Sequence, residues 1–343
     1  MMIQVLLIAV ALVAISGLYS IVPRLSRPDL FFAVTVAAGF RSTPEAQAIV
    51  KRFQTTVWTM TLLAIAMEAV FRVPVAAVAA LLIQAAAFAW ALVEAHARAL
   101  PFAVKPASVV EVDLNATAER VPGGLTAVLL PIVALIGIGV WAGMNMDRLP
   151  PRFAVHWGFH GPDRWVDTTP ATVFSFLGIF TAVCILLGAI AWAMLHWSRR
   201  VSTSGPAARN ERRFRRRMVL FLIVTEYAMA VLPCLMLFQS SNAALTIWLI
   251  VWMVVIVAFV VILFRAGQGG SRGQSPTGPP PIGDRTPDKC WKWGMFYVNP
   301  ADPSVMVERR FGVGYTINLG NRWTWIVMGL LIVPIIAGAL LLR

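Results

Sequence analysis

Eight apolar runs dominate the sequence. They fall at about 2–22, 54–71, 75–95, 124–144, 171–195, 218–238, 244–264 and 323–342. Crossing the hydrocarbon of a bilayer as a helix takes ~20 apolar residues, which is about the length of each run. Lipid offers the backbone no hydrogen-bond partner, so a spanning segment must be a helix or part of a closed barrel. The two-residue alternation of barrel strands is missing. The expected class is therefore an all-α integral membrane protein of about eight transmembrane helices. Composition agrees: charged residues make up 13% of the 343 and hydrophobic residues 59%, where a soluble chain carries roughly 25% charged residues. The first run lacks the basic stretch of a cleaved signal and reads as a retained helix. LFFAVTVAAGF at 30–40, flanked by Asp29 and Arg41, is too short to span and reads as an interfacial or re-entrant piece.

Charge placement orients the runs. The alternate loops 23–53, 96–123, 196–217 and 265–322 hold 24 of the 29 Lys and Arg residues. The opposite side has only Arg72, Arg148, Arg152, Arg164 and Arg343. The positive-inside rule then puts the basic loops in the cytoplasm and both termini outside. The net charge of +13 implies anionic lipid as the partner of these loops rather than nucleic acid. Three cysteines, Cys184, Cys234 and Cys290, without a CxxC spacing support neither a disulfide framework nor a zinc ribbon.

The chain divides accordingly. Residues 1–123 hold three spans with their cytoplasmic loops, and 124–195 a helix pair around an outer loop at 146–170. Residues 196–264 hold a basic cytoplasmic loop and a second helix pair; its run ARNERRFRRRM at 208–218 reads as a stop signal and lipid anchor. The Gly/Pro/Ser-rich stretch 265–288 reads as a flexible linker. Residues 289–322 form a small cytoplasmic domain in which MFYV and SVMV, joined by NPADP, make a hairpin. Residues 323–343 are the last span.

The outer loop, MDRLPPRFAVHWGFHGPDRWVDTTP, is the most chemically varied stretch. His156 and His160 have the i, i+4 spacing that places two zinc ligands on one helix face. Against this, Gly158, Gly161 and Pro162 break helices, and no Glu or Cys stands near. The other reading is a short strand, FAVHW, leading into a turn at Gly161, Pro162 and Asp163, with Trp157 and Trp165 at the membrane boundary. Such a loop is either a rigid cap or a recognition surface. Neither HExxH nor GxSxG occurs, FGVGYT at 311–316 lacks the third glycine of a dinucleotide fingerprint, and no Walker lysine is present. The sequence therefore points to no catalytic residue, cofactor or metal.

Ionisable residues inside apolar runs are functional candidates by default. Glu68 has Arg72 four residues on, and Glu94 and His96 lie near headgroups. Glu226, in LIVTEYAMAVLP, sits near mid-membrane without a basic residue in pairing reach on its own helix, and Pro233 follows. It reads either as a functional carboxylate or as a protonated one bonded to Gln84 or a hydroxyl.

LPPRFAVHWGFHGPDRW at 149–165 resembles the extracytoplasmic signature of bacterial membrane proteins that include the SdpI-type immunity proteins, through Leu149, Pro150, His156, Gly161, Pro162, Asp163 and Trp165. KWGMFYVNPADPSVMVERRFGVGYTINLGN looks like a C-terminal domain of unknown function, matching at Lys292, Trp293, Gly294, Asn299, Asp302, Pro303, Arg310, Gly312 and Gly314. LFFAVTVAAGFRSTPEAQAIVKRF at 30–53 also resembles a cytoplasmic segment of the group. The resemblance implies a non-enzymatic protein of the bacterial inner membrane, giving immunity to or sensing a toxic peptide or envelope stress. Outer recognition would involve His156, Trp157, Gly161, Pro162, Asp163 and Trp165, and docking of a cytoplasmic regulatory protein Lys292, Trp293, Asn299, Asp302 and Arg310. The alternatives are a secondary transporter using Glu226 as a proton or cation site and, remotely, a metal-dependent membrane hydrolase.

Overall fold

A computed structural model describes residues 2–71, 73–105, 119–158, 161–198, 205–238, 242–273, 284 and 286–341. Eight α-helices dominate these residues: α1 (Met2–Leu25), α2 (Pro44–Phe71), α3 (Pro74–Ala99), α4 (Gly124–Met144), α5 (Pro170–His196), α6 (Gly205–Leu237), α7 (Asn242–Ala266) and α8 (Arg322–Leu341). Seven of them, α1 to α7, are long and apolar enough to cross a membrane. The eighth apolar run is helical as α8, with 20 residues. Short strands fill the gaps in antiparallel pairs: β1 (Leu30–Phe31) with β2 (Val34–Thr35), β3 (Arg152–Gly158) with β4 (Gly161–Asp167), β5 (Trp291–Lys292) with β6 (Phe296–Tyr297), and β7 (Met306–Glu308) with β8 (Tyr315–Ile317).

The helices form two groups. α1, α2 and α3 pack together, and α5 packs against α4, α6 and α8. The first group carries a buried polar layer. Gln84 of α3 donates to the Leu12 carbonyl and to the Ser16 hydroxyl of α1, both at 2.7 Å, and Ser16 lies 2.5 Å from the Thr61 hydroxyl of α2. Interhelical hydrogen bonds of this kind hold apolar helices that have no hydrophobic drive to associate in lipid. Gln84 is thereby committed to α1 and does not bond Glu226, against one of the two sequence readings. In the second group Gly188 lets α5 approach α4, because a Cβ there would lie 2.5 Å from a Val128 methyl. Thr169 caps α5 by a reciprocal capping box with Thr172, and Pro170 opens its first turn.

The structure corrects several boundaries. The basic run 208–218 is helical: α6 begins at Gly205, not after the arginines. Arg and Ala are good helix formers, and Glu211 pairs with Arg215 one turn on, at 2.7 Å. The run 30–40 opens on a hairpin, Leu30–Phe31 with Val34–Thr35, that is buried within the protein. Phe32 and Ala33 turn it with φ of 45° and 67°, and Phe32 stacks on Phe311 at 5.3 Å. MFYV and SVMV do not pair with each other. Phe296–Tyr297 pairs back to Trp291–Lys292 and Met306–Glu308 pairs forward to Tyr315–Ile317. Gly294, Gly312 and Gly314, all at positive φ, lie in the tight reversals, whereas NPADP is a wider corner held by side chains. The stretch 265–288 is not free along its length. Gln268 is buried, as are Asp284 and Thr286; 274–283 and 285 lie outside the described residues.

Candidate functional site

The two polar modules sit at opposite ends of the helices. At one end, β3 and β4 form a hairpin between α4 and α5. Phe153 and Ala154 are buried, and Phe153 packs on Phe176 at 5.2 Å, which seats the hairpin on α5. The register shifts around His156, a bulge that re-aims the side chain. His156 and Asp163 are both more than half exposed, with side-chain accessibilities of 65% and 51%, and the His156 Nδ1–H donates to Asp163 Oδ1 at 2.6 Å. This bond fixes the ring and leaves Nε2 for another group. Trp165 is exposed on the neighbouring stretch of β4, while Trp157 is half-buried with its indole N–H lacking a hydrogen-bond partner among the described residues.

Pro162 does not make the turn expected of it. It stands in β4 opposite Trp157, and Gly161, at φ 109°, pairs with Gly158. A two-stranded sheet is all edge, so a proline is tolerated there. The turn itself, with His160, lies outside the described residues. His156 lies on a strand, so the helical i, i+4 geometry behind the zinc reading is not formed.

In the apolar part of α6, Glu226 is fully buried and neither carboxylate oxygen has a hydrogen-bond partner among the described residues. It faces α5, where a Cβ on Gly188 would lie 3.7 Å from both oxygens and the Cys184 thiol approaches the Glu226 carbonyl at 3.5 Å. Glu68 is also buried with one oxygen unpartnered, and Arg72 lies outside the described residues. Glu94, by contrast, is held by Arg52 at 2.6 Å and Arg98 at 3.0 Å.

At the other end, loops from the whole chain meet in a buried polar knot. Arg310 is its centre. The guanidinium is fully buried; it pairs with Asp284 at 2.8 Å and with Asp288, donates to the Ala33 carbonyl at 2.9 Å, and lies 5.4 Å from the Trp291 ring. Burial opposes a charge on Asp284, but Arg310 and the Thr286 donors outweigh it and hold that carboxyl below the usual range. A second cluster joins α6 to β7 and β8. Arg215 pairs with Glu211 and, at 3.0 Å, with Glu119, and donates to the Tyr315 hydroxyl at 3.3 Å. Glu308 is buried beside Arg27, 3.6 Å away, with neither carboxylate oxygen hydrogen-bonded among the described residues. Burial first, and the Glu211 charge second, push the Glu308 carboxyl up to about 7 despite Arg27.

The knot places the expected docking residues unequally. Asn299 and Asp302 serve the NPADP corner: the Tyr297 hydroxyl donates to Asp302 at 2.9 Å, and Asn318 donates to the Asn299 carbonyl at 2.9 Å. Arg310 is spent inside the protein. Lys292 and Trp293 remain exposed, Trp293 at φ 55° with 63% of its surface open. Sequence reasoning missed Arg27, Glu211, Arg215, Asp284, Asp288 and Glu308. The available signal was their charge in a chain with only 16 acidic residues.

Residues 300–325 match DUF5808, a family of unknown function. They cover the NPADP corner from Pro300 on, β7, β8 and the start of α8, and include Arg310 at the knot's centre. No curated protein and no solved structure matches the chain.

Proposed function

We propose that this chain is a multi-pass protein of the bacterial cytoplasmic membrane, not an enzyme. In this reading its outer hairpin recognises or excludes a toxic peptide, or registers envelope stress, as in the SdpI-type immunity proteins it resembles. The observation that carries the reading is the hairpin itself. Phe153 anchors one face in the helix ends, while His156, Asp163 and Trp165 stand exposed and pre-organised by the His156–Asp163 bond. An extended peptide can add to a free strand edge, with side chains such as these setting the choice of partner. At the opposite end, Lys292 and Trp293 offer an exposed surface for a cytoplasmic regulatory protein. The test is survival of a peptide-sensitive bacterium expressing the protein or its His156→Ala, Asp163→Asn and Trp165→Ala variants at equal membrane levels. Protection against some peptide of a panel, lost in these variants, supports the reading; equal protection by all of them contradicts a role for the hairpin.

A second reading rests on Glu226. A carboxylate buried between α5 and α6 with no hydrogen-bond partner among the described residues is the chemistry of a proton or cation site in a secondary transporter. Uptake or efflux abolished in Glu226→Gln supports it, and transport unchanged in that variant removes it.

A further inference from the structure

Five of the six arginines in the 208–218 run turn away from the knot. Arg215 alone is buried; Arg209, Arg212, Arg213, Arg216 and Arg217 are exposed. Arg213 and Arg217, one turn apart on α6, open onto a cleft of about 310 Å³ that Arg265, in the last turn of α7, and Arg272, from the following loop, also line. Among the described residues no carboxylate lines this cleft. Arg213, Arg217 and Arg265 form no ion pair among the described residues.

The cleft is shaped rather than merely charged. Arg272 donates to the Phe264 carbonyl at 2.8 Å and to the Arg24 carbonyl at 3.0 Å, so its guanidinium is fixed across the C-terminal ends of α7 and α1. Gly270 closes the loop onto α6: its φ is 75°, and a Cβ would lie 2.8 Å from the Asn210 carbonyl oxygen. Four arginines from three chain segments thus line one cleft with no carboxylate among its described lining residues, an arrangement that repulsion disfavours unless an anion enters.

Its level along the helices names the anion's source. Arg217 is the last charge before the apolar part of α6, and Arg265 the first after that of α7. On the apolar side of the cleft Phe221 stacks on Phe259 at 3.8 Å and on Trp252 at 5.8 Å, so an aromatic seam continues between α6 and α7. We propose that this cleft is a binding site for a phosphate group, gripped by Arg213, Arg217 and Arg265 with Arg272 as its fixed wall, and that the phosphate belongs to an anionic phospholipid headgroup. Guanidinium forks match phosphate oxygens in planar, two-pronged geometry. The lipid source rests on the membrane reading above; the phosphate chemistry does not.

Thermal unfolding of the full chain in detergent tests this, with phosphatidylglycerol, phosphatidylcholine or inorganic phosphate added. Two double variants remove equal charge: Arg217→Ala with Arg265→Ala in the cleft, and Arg209→Ala with Arg212→Ala outside it. Phosphatidylglycerol should stabilise the wild type where phosphatidylcholine does not. The cleft variant should lose about tenfold in apparent affinity for each contact removed, and the outer variant little. Equal losses in both variants would show diffuse attraction and overturn the site, as would no stabilisation by phosphatidylglycerol or by inorganic phosphate. Stabilisation by inorganic phosphate equal to that by phosphatidylglycerol would keep the phosphate site and overturn the lipid source. A glutamine pair at 217 and 265 replaces the alanine pair if the latter fails to fold. Release of the chain from membranes by carbonate without detergent would contradict the membrane reading alone, leaving the inorganic phosphate arm to decide the cleft.

Discussion

Arg310 and Asp284 meet at 2.8 Å in a site where the arginine side chain is wholly buried and the aspartate side chain 4% exposed, although 26 positions separate them. The pair is completed by Thr286, Asp288 and the Ala33 carbonyl, so one guanidinium ties the β1–β2 hairpin, the stretch before β5 and the β7–β8 reversal together. Breaking a buried, satisfied pair strands the remaining charge, at a cost of about 3–5 kcal/mol. Arg310→Ala is therefore expected to lower the unfolding temperature of the detergent-solubilised protein sharply. Arg310→Lys should rescue it poorly, because a lysine keeps the charge and loses the fork.

Two buried carboxylates set opposite pH slopes. Asp284 has its folded-state value lowered, so its contribution is present above the ordinary aspartate value of 3.8 and is lost as pH falls through the lowered one. Glu308 is raised from 4.5 to about 7, so folding holds its proton, and stability declines as pH rises from about 4.5 to about 7. At ~1.4 kcal/mol per pH unit that decline is on the order of 3 kcal/mol. Unfolding temperature measured against pH should show it, and Glu308→Gln should flatten the curve between pH 5 and 7. A wild-type curve already flat there contradicts the Glu308 assignment.

Gly320 admits no side chain. Its Cβ would lie 2.6 Å from the Asn299 nitrogen and 2.7 Å from the Pro300 nitrogen, both backbone atoms that cannot swing aside. Gly320→Ala is expected to destabilise by about 1–3 kcal/mol through overpacking, read by chemical or thermal unfolding.

At the other end, the His156–Asp163 bond is exposed, and pairs of this kind contribute ~0–1 kcal/mol. His156→Ala and Asp163→Asn should leave the unfolding temperature nearly unchanged while removing any protection the protein gives. A large loss of stability in either would mean the pair holds the hairpin together instead of presenting it.

The helices were legible because ~20 apolar residues can do little else, and seven of the eight runs meet that length and apolarity among the described residues. The hairpin's first strand was legible from FAVHW, but Pro162 misled, since a turn-forming residue is equally at home on an edge strand. The extension of α6 through 208–218 was hidden by reading charge as loop, although arginine favours helix. Of the knot, Arg310, Asn299 and Asp302 stood out in the sequence, but as surface residues and not as an interior cluster. Arg27, Glu211, Gln268, Asp284 and Glu308 come from separate stretches of the chain, and only folding makes them neighbours. Strands of two or three residues, such as β5 and β7, are too short to show a period-two pattern. Trp293 and Lys292 were placed on a surface and lie on one, whereas Arg310, named with them, is the residue that builds the interior.

We propose that the hairpin and the knot lie on opposite sides of a membrane, with the hairpin outside. Side-specific thiol labelling measures this directly. Cysteine is placed at Trp165 in the hairpin or at Trp293 beside the knot, in a background with Cys184, Cys234 and Cys290 replaced by alanine. In intact cells an impermeant maleimide should label Trp165→Cys and leave Trp293→Cys untouched until the membrane is permeabilised. Labelling of Trp293→Cys in intact cells, or of Trp165→Cys only after permeabilisation, would contradict this placement.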